Sequence, residues 1–548
     1  MSKSETSPLL NDDALHPCVV PVSRRIQWLL SFVFVAGLLI PPGTFIWNQS
    51  KGEPGLMEKI RNRLSTQSTD HSRQSRIVRQ SPSLLDRIGA LEKETESDPL
   101  NESSQKNGRR LQFEFLHEGN RQVYPGNDGW LFYRPGLDSL TGPGPLHWKP
   151  DKHTGTAGST ESRNPVSVIV HFAHQLRQRG IDLMLLSVPD KASVQPEGII
   201  RGDHQIRVHP DRNKLYFKLA REGIEIVDLL PIFEKERRAG RDVFLKQDTH
   251  WKPRAMELAA RKVAQVLKQK NLLPGHPEKF ARKKIKRSSL GDLVGLLDLG
   301  APSLFAPEKV ALSSLSGPRG DSPLVLLGDS FVNIYDDPSL GFGIKGESRI
   351  GAGFASQLAA TLGFPVETFA INGDGATAPR QAFCAQTDEW IRSKKQVVWL
   401  IAERDLFLSH SAGLAAGVHW KNVEFTGSPE KVSGASGGQE IVITARLREK
   451  SRIRDPKQSP YTQALYAAKF DSVQVLSGPS LKRDTLTLFL WAFRDRKFLP
   501  TARIKEGQVY RLTLLPLNSL PEIRSVPQMN DFSVTELPLF AEKAERIP

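Results

Sequence analysis

The sequence predicts a three-layer α/β/α domain on a parallel sheet, followed by a small all-β domain and preceded by one transmembrane helix. Three observations carry this. Between residues 166 and 401, short apolar runs alternate with stretches whose apolar residues recur at helical spacing, the pattern of strands and helices stacked with the sheet covered on both faces. After a Gly- and Ser-rich break at 427–439 the pattern changes to period-two alternation, which reads as half-buried strands. Near the start, one apolar stretch, Ile26 to Trp47, is long enough to cross a bilayer.

Taken in order, residues 1–25 read as a polar cytoplasmic tail. As a helix rising ~1.5 Å per residue, residues 26–47 reach about 33 Å. Trp28 and Trp47 lie where interfacial aromatics belong. No Ala-x-Ala-like cleavage site follows, so the stretch reads as a signal anchor rather than a cleaved signal peptide. Arg24 and Arg25 flank one side, and Lys51, Lys59, Arg61 and Arg63 the other, so local charge does not set its orientation. Residues 48–112, rich in Ser, Gln, Arg and Glu, read as a juxtamembrane tether, partly disordered, with a helical piece around Leu84 to Leu91.

Residues 113–426 read as the α/β domain. Its strand candidates are Ile181–Val188, Ile224–Asp228, Leu324–Leu327, Val366–Ile371 and Val397–Ile401; helices are expected at Val166–Gln178, Lys214–Glu222, Pro253–Lys268 and Gly353–Leu362. Active residues in such sheets gather at the carboxyl ends of the strands. Beyond the linker at 427–439, residues 440–548 read as the β domain, with alternating runs at Ile441–Leu447, Thr485–Trp491 and Val509–Leu515. Its aromatics Tyr461, Tyr466 and Trp491 are candidates for stacking on a glycan, although such rings more often fill cores.

With 548 residues the chain exceeds what one core usually serves. Its net charge of +15 raises the question of nucleic acid, yet it has no zinc-ligand spacing, no single-strand-binding motif and no base-reading basic helix. The densest basic run, Lys279 to Arg287, reads as a solvated face or loop, or as a long-range attractor for an acidic polymer. No metal or cofactor is expected: the 13 histidines include no His-x-x-x-His pair with a glutamate, and the two cysteines, Cys18 and Cys384, have no cluster spacing. On the anchor reading these cysteines lie on opposite sides of the membrane and do not pair.

The chemistry is concentrated in two short segments. Val325-Leu-Leu-Gly-Asp-Ser-Phe331 is an apolar run ending at Gly-Asp-Ser, the form of a buried strand that delivers a serine to a tight turn. Gln247-Asp-Thr-His-Trp-Lys252 sets Asp248 and His250 two apart, on one face if extended. A serine hydroxyl needs a neutral imidazole to take its proton, and the imidazole needs a carboxylate to hold its tautomer. Asp248, His250 and Ser330 supply all three roles, while Asp329 reads as a turn-former.

At these residues the chain resembles the SGNH-type acetyltransferases related to the alginate O-acetylation proteins AlgJ and AlgX, whose motif pairs Asp-x-His-Trp with a later Gly-Asp-Ser. Gly126-Asn-Asp-Gly-Trp-Leu-Phe-Tyr133, Val188-Pro-Asp-Lys191 and Trp399-Leu-Ile-Ala-Glu-Arg-Asp-Leu406 extend the likeness over roughly residues 113 to 425. The resemblance implies an SGNH-hydrolase-like fold and an O-acetyltransferase that works through a serine acyl-enzyme on an exported polysaccharide. It also implies an acetyl donor delivered by a multispanning membrane acyltransferase, and a catalytic domain on the extracytoplasmic, periplasmic side of the inner membrane. Gly351 or Gly353 and Asn372 occupy positions like the oxyanion donors of SGNH enzymes, beside the backbone N–H of Ser330. Here, however, Asn372-Gly-Asp-Gly stands where the broader pattern has Gly-x-Asn-Asp. Trp251 is expected to support the imidazole, meet the acceptor sugar or fill the core. Arg404 is expected to clamp substrate or to pair with Glu403. An extracytoplasmic esterase or deacetylase using the same three residues, with water as acceptor, is the alternative. A silent glycan-binding scaffold fits less well, since all three residues are present.

Overall fold

The structure is a computed structural model that describes residues 99–547 apart from 148–163, 203, 271–275, 319, 344–349, 409–417, 426–439, 480, 482–483, 518–519, 521 and 533–538. The expected tail, the anchor at 26–47, the tether up to residue 98 and the linker at 427–439 lie outside the described residues. The end of the tether is helical, Pro99–Leu111. Among the described residues no helix is long and apolar enough to cross a membrane. Residues 107–548 form one compact unit, and the architecture below belongs to it.

A short hairpin of β1 (Val123–Pro125) and β2 (Leu131–Tyr133) opens the unit. Then follow helix α1 (Pro165–Arg177), β3 (Asp182–Val188), α2 (Arg212–Arg221), β4 (Glu225–Asp228) and α3 (Pro253–Gln269). A hairpin of β5 (Ala281–Ser289) and β6 (Glu308–Ser316) flanks α4 (Asp292–Leu297). The chain continues through β7 (Leu324–Gly328), α5 (Ser330–Asn333), α6 (Phe354–Leu362), β8 (Glu367–Ala370), β9 (Gln396–Ala402) and α7 (Glu403–Phe407). Strands β4, β3, β9, β7 and β8, in that order, form a sheet in which every pairing is parallel.

Strand alternation divides this sheet into two cores. Met184, Leu186, Leu326, Val398 and Leu400 face one side, with Met256, Ala260 and Val263 of α3 and Leu358 of α6. Leu183, Leu185, Val325, Leu327, Val397 and Trp399 face the other, with Phe172 of α1 and Leu215 and Leu219 of α2. Every residue of β7 and β9 is buried, which is why each reads as a continuous apolar run rather than an alternating one. At about 1.5–3 kcal/mol for each fully buried large apolar side chain, this two-sided burial dominates the domain's stability. α1 starts at Pro165 because Asn164 caps it, its side chain accepting from Val166 N.

The basic run Lys279–Arg287 is a solvated face rather than a loop. Most of it is strand β5, whose charged side chains project into solvent. Lysine and arginine on an exposed strand keep it from pairing with another chain.

The C-terminal part is a barrel. β10 (Ile441–Lys450), β11 (Ala464–Ser477), β12 (Thr485–Arg494), β13 (Lys497–Phe498), β14 (Val509–Pro516), β15 (Gln528–Met529) and β16 (Leu539–Arg546) form one sheet. The further pairing of β11 with β12 closes β12-β16-β14-β10-β11 into a ring, which removes the open edges of those strands. Ile443, Ala445, Leu447, Tyr466, Phe470 and Leu512 fill its interior. Of the aromatics singled out as glycan candidates, Tyr466 and Trp491 are core residues. Tyr466 donates its hydroxyl to Thr501 O at 2.6 Å, and Trp491 meets the Phe540 ring edge-on at 6.0 Å. Tyr461 lies elsewhere, as described next.

Candidate active site

β7 ends at Gly328, where a Cβ would come within 2.6 Å of Val332 Cγ2, so only a glycine permits the turn without displacing that side chain. Asp329 caps the short helix α5 by accepting from Phe331 N at 2.9 Å. Ser330 is the first residue of α5, at the carboxyl end of a central strand. Asn333 on the same turn donates to Ala370 O (3.0 Å) and to Asn372 Oδ1 (2.9 Å), tying α5 to the end of β8.

The Asp-x-His segment is a compact bend rather than an extended strand. Leu245 N donates to His250 O and Lys252 N to Val243 O, closing a narrow loop. Within it, Asp248 Oδ1 accepts the backbone N–H of His250 at 2.9 Å, the turn that aspartate side chains favour. The same oxygen lies 2.6 Å from His250 Nδ1, and His250 Nε2 lies 2.8 Å from Ser330 Oγ. A carboxylate facing Nδ1 assigns the ring proton there and leaves Nε2 free to accept from the serine hydroxyl. The carboxylate thus reaches the ring through the turn, not through the i, i+2 geometry of a strand.

Two groups fix the loop. Lys191 is buried, and its ammonium donates to Leu131 O (2.6 Å), Lys246 O (2.9 Å) and Asp248 O (3.0 Å). Burial lowers its pKa to about 8, against the opposing charge of Asp248. Glu308 accepts from Lys246 N and Gln247 N at 2.9 and 2.7 Å. Asp292, at the start of α4, adds a second carboxylate. Its backbone N–H donates to Asp248 Oδ2 at 3.0 Å, while its own oxygens accept from Thr249 N (2.9 Å) and Thr249 Oγ1 (2.6 Å).

Electrostatics follows from this packing. Burial opposes the charged form of His250, but the adjoining Asp248 carboxylate more than offsets it, so the imidazole pKa stands above its ordinary value. Burial likewise opposes the Asp248 carboxylate, and the His250 charge and the hydrogen bonds it accepts bring its pKa below the usual one. Burial, then repulsion from Asp248, raises Asp292 to about 6. Asp248, His250 and Asp292 have ligand-type atoms close enough to embrace a cation. Each carboxylate oxygen of the pair and Nδ1 of the ring already has a hydrogen-bond partner, so the cluster reads as a proton-holding network.

The imidazole and Asp292 open onto a cavity of about 410 Å³. Its opposite wall comes from the barrel half: Pro460, Tyr461, Thr462 and Arg496. Tyr461 places its hydroxyl 3.4 Å from Ser330 Oγ. Neither Asp292 nor Tyr461 carries a local motif. An Asp opening an apolar helical run looks like a cap, and a lone Tyr beside Pro looks like a turn.

Comparison with known proteins places this geometry in a family. The model for the SGNH hydrolase-like domain of acetyltransferase AlgX matches residues 123–403, just over half of the chain. The chain belongs to this family. It is similar to the probable alginate O-acetylase AlgJ of Pseudomonas syringae pv. tomato, 28% identical over 306 residues that cover 54% of this chain and 72% of the relative. It is also similar to the AlgJ of Pseudomonas putida, 28% identical over 303 residues, 54% of this chain and 73% of the relative. Among solved structures, the O-acetyltransferase domain of Pseudomonas putida AlgJ aligns over 52% of this chain and 92% of that one, with 24% identity and a TM-score of 0.40. Pseudomonas aeruginosa AlgX aligns over 60% and 77%, with 17% identity and a TM-score of 0.37.

Within this family member the remaining candidates fall into different places. Trp251 is fully buried, its ring 5.4 Å from Phe331 and 5.5 Å from Phe354, and its carbonyl accepts from Tyr335 Oη at 2.6 Å. It is a core residue, packed on the same Phe331 ring that meets the imidazole, and cannot meet a sugar. Gly351, at φ +69°, packs against the Leu315 backbone and lines a separate cavity of about 860 Å³. Gly353 caps α6, where a Cβ would come 2.6 Å from Asp336 Oδ2 and 2.7 Å from the Val332 carbonyl oxygen. The Asn372 side chain is fully buried: it donates to Asp337 Oδ2 at 2.9 Å and accepts from Asn333, which sets it as a tie between segments rather than a donor facing Ser330. The Arg404 guanidinium stacks 5.6 Å from both the Phe331 and Tyr133 rings. Burial opposes its charge, but Asp405 and other nearby acids hold its pKa above the ordinary value. It does not pair with Glu403, which accepts from Arg212 Nε at 2.6 Å; its ion pair is with Asp405, at 3.7 Å.

Proposed function

We propose that this protein is an O-acetyltransferase that carries an acetyl group on Ser330 and passes it to an exported polysaccharide. One observation carries the reading: an unbroken hydrogen-bonded line from Asp248 through His250 to Ser330, in a member of an acetyltransferase family. Ser330 Oγ attacks the acetyl carbonyl carbon as its proton passes to His250 Nε2. The donor's C–O bond breaks and the leaving oxygen takes that proton. A sugar hydroxyl then repeats the sequence in reverse, giving its proton to His250 and taking the acetyl group. Asp248 holds the ring in the tautomer this needs and stabilises the imidazolium. The backbone N–H of Ser330 serves as one donor to the developing oxyanion.

The polysaccharide acceptor is carried over from the relatives, which are named probable alginate O-acetylases. The same proposal includes a multispanning membrane acyltransferase as the source of the acetyl group. It includes anchoring through residues 26–47 with the α/β domain outside the cytoplasm, where a tether would raise the local concentration of enzyme near its donor. Protease added to intact spheroplasts should then digest the large domain; protection there, with digestion in inverted vesicles, would reverse the topology. The test of transfer against hydrolysis is partition of a labelled acetyl ester. With an oligosaccharide present, label should reach sugar hydroxyls faster than it appears as free acetate. Release of acetate alone, whatever acceptor is supplied, would instead mark an esterase.

A further inference from the structure

We propose that Tyr461, supplied by the barrel half of the molecule, is a catalytic residue of the acyl-transfer site, its phenol O–H donating to Ser330 Oγ at rest and to the acyl oxygen as Ser330 attacks. This rests on the reading of Ser330 as the nucleophile. Ser330 Oγ has two polar neighbours on opposite duties. It donates to His250 Nε2 at 2.8 Å and accepts from Tyr461 Oη at 3.4 Å. When Oγ bonds to the carbonyl carbon, the carbonyl oxygen lies one atom beyond that carbon, within the reach of a phenol 3.4 Å from Oγ; Tyr461 and His250, the two partners of Oγ, line one cavity together. A donor slightly too long for a good bond to Oγ is therefore placed for the oxygen that develops charge. Of the groups sequence analogy offered for that task, the Asn372 side chain is held by Asp337 and Asn333, and Gly351 lines the other cavity.

The tyrosine's seat is built from both halves of the unit. Gly373, at φ +75°, lies under the ring; a Cβ there would come 2.5 Å from Tyr461 Cε2, so glycine makes the room. On the barrel side, Tyr461 N donates to Ser459 Oγ at 3.1 Å. Arg496, in the turn between β12 and β13, donates through Nη1 to Pro456 O (3.0 Å) and Ser459 O (2.7 Å), and its backbone N donates to Thr462 O (2.9 Å). A loop pinned at both ends holds its phenol in one position, which preorganised stabilisation requires. Burial also pushes the phenol pKa well above its usual value, so the group stays a donor throughout the neutral range.

The proton inventory is simple. Ser330 Oγ forms its bond to carbon as its proton moves to His250, and the carbonyl π pair shifts onto oxygen. That pair returns as the C=O re-forms, while the donor's C–O bond breaks and the leaving oxygen takes the proton from His250. Tyr461 keeps its own proton and contributes a hydrogen bond that strengthens with the charge.

The experiment compares full-length wild type, Tyr461→Phe and Ser330→Ala with p-nitrophenyl acetate, following the acylation burst. Tyr461→Phe should lower the maximal acylation rate by about 10²–10³-fold, the loss typical of one oxyanion donor. Its half-saturating ester concentration, melting temperature and pH profile should match wild type. If Tyr461→Phe acylates within twofold of wild type while Ser330→Ala is inactive, Tyr461 has no such role and the Ser330 reading stands. A loss seen only in melting temperature or in half-saturation would assign the ring to packing and equally overturn the proposal. Wild-type activity in Ser330→Ala would overturn both.

Discussion

Ser330→Ala is expected to abolish acetyl transfer, with a fall on the order of 10⁶-fold in kcat where a serine nucleophile is removed from an intact site. The fold should survive. The change deletes one oxygen from a residue held by β7 behind it and α5 ahead, and among the described residues its hydroxyl bonds to His250 and Tyr461, both within the site. Thermal unfolding of the variant should therefore coincide with wild type while labelled acetyl fails to reach either sugar or water. A variant that kept more than a few per cent of the activity with an unchanged melting curve would remove Ser330 from the chemistry.

Asp248→Asn should have the second largest effect, and its signature is a displacement along the pH axis as well as a loss of rate. The reaction needs His250 neutral at Nε2. In wild type the Asp248 carboxylate, 2.6 Å from Nδ1, favours the imidazolium against the cost of burial, so the imidazole pKa lies above its ordinary ~6.5. Activity should then rise with pH through that elevated pKa and be lost below it. An asparagine removes the strongest of the charges that hold the pKa up, leaving only Asp292 and Asp329 to oppose burial. The acid limb of kcat/KM should move to lower pH. The rate on the plateau should fall by roughly 10⁴-fold, because the amide no longer fixes the ring tautomer. A pH–rate profile with an unmoved acid limb would mean that Asp248 does not govern His250.

The fold was legible where burial was two-sided or strictly one-sided. β3, β7 and β9 are covered on both faces and so appear as apolar runs; α3 shows its buried stripe Met256, Ala259, Ala260, Val263 and Leu267 at helical spacing. β5 was unreadable because none of its side chains is buried and its first four residues are exposed in succession, which leaves no apolar period to detect. β11 and β16 escaped for related reasons. β11 is buried without interruption at one end and loses its burial at the other, and β16 carries a charged second half.

The site divides along the same line. Asp248, His250 and Ser330 lie in short motifs whose local chemistry is visible, and the structure sets them within hydrogen-bond distance across 80 positions of sequence. Asp292 and Tyr461 reach the same place from segments with no local signature, Tyr461 from 131 positions beyond Ser330. Asn372 shows the limit of analogy by position. Its place after β8 is near the site, but whether an amide faces a nucleophile or a structural partner depends on packing with Asn333 and Asp337, which no spacing rule encodes.

Trapping the acyl-enzyme tests the central claim most directly. Wild-type protein mixed with an activated, isotopically labelled acetyl ester, quenched in acid at short times and mapped by peptide mass spectrometry, should carry one labelled acetyl group on the peptide containing Ser330. That signal should decay faster when an oligosaccharide is added before the quench. Turnover that proceeds with no label on Ser330 at any time, or with label on another residue that decays at the rate of product formation, would contradict it.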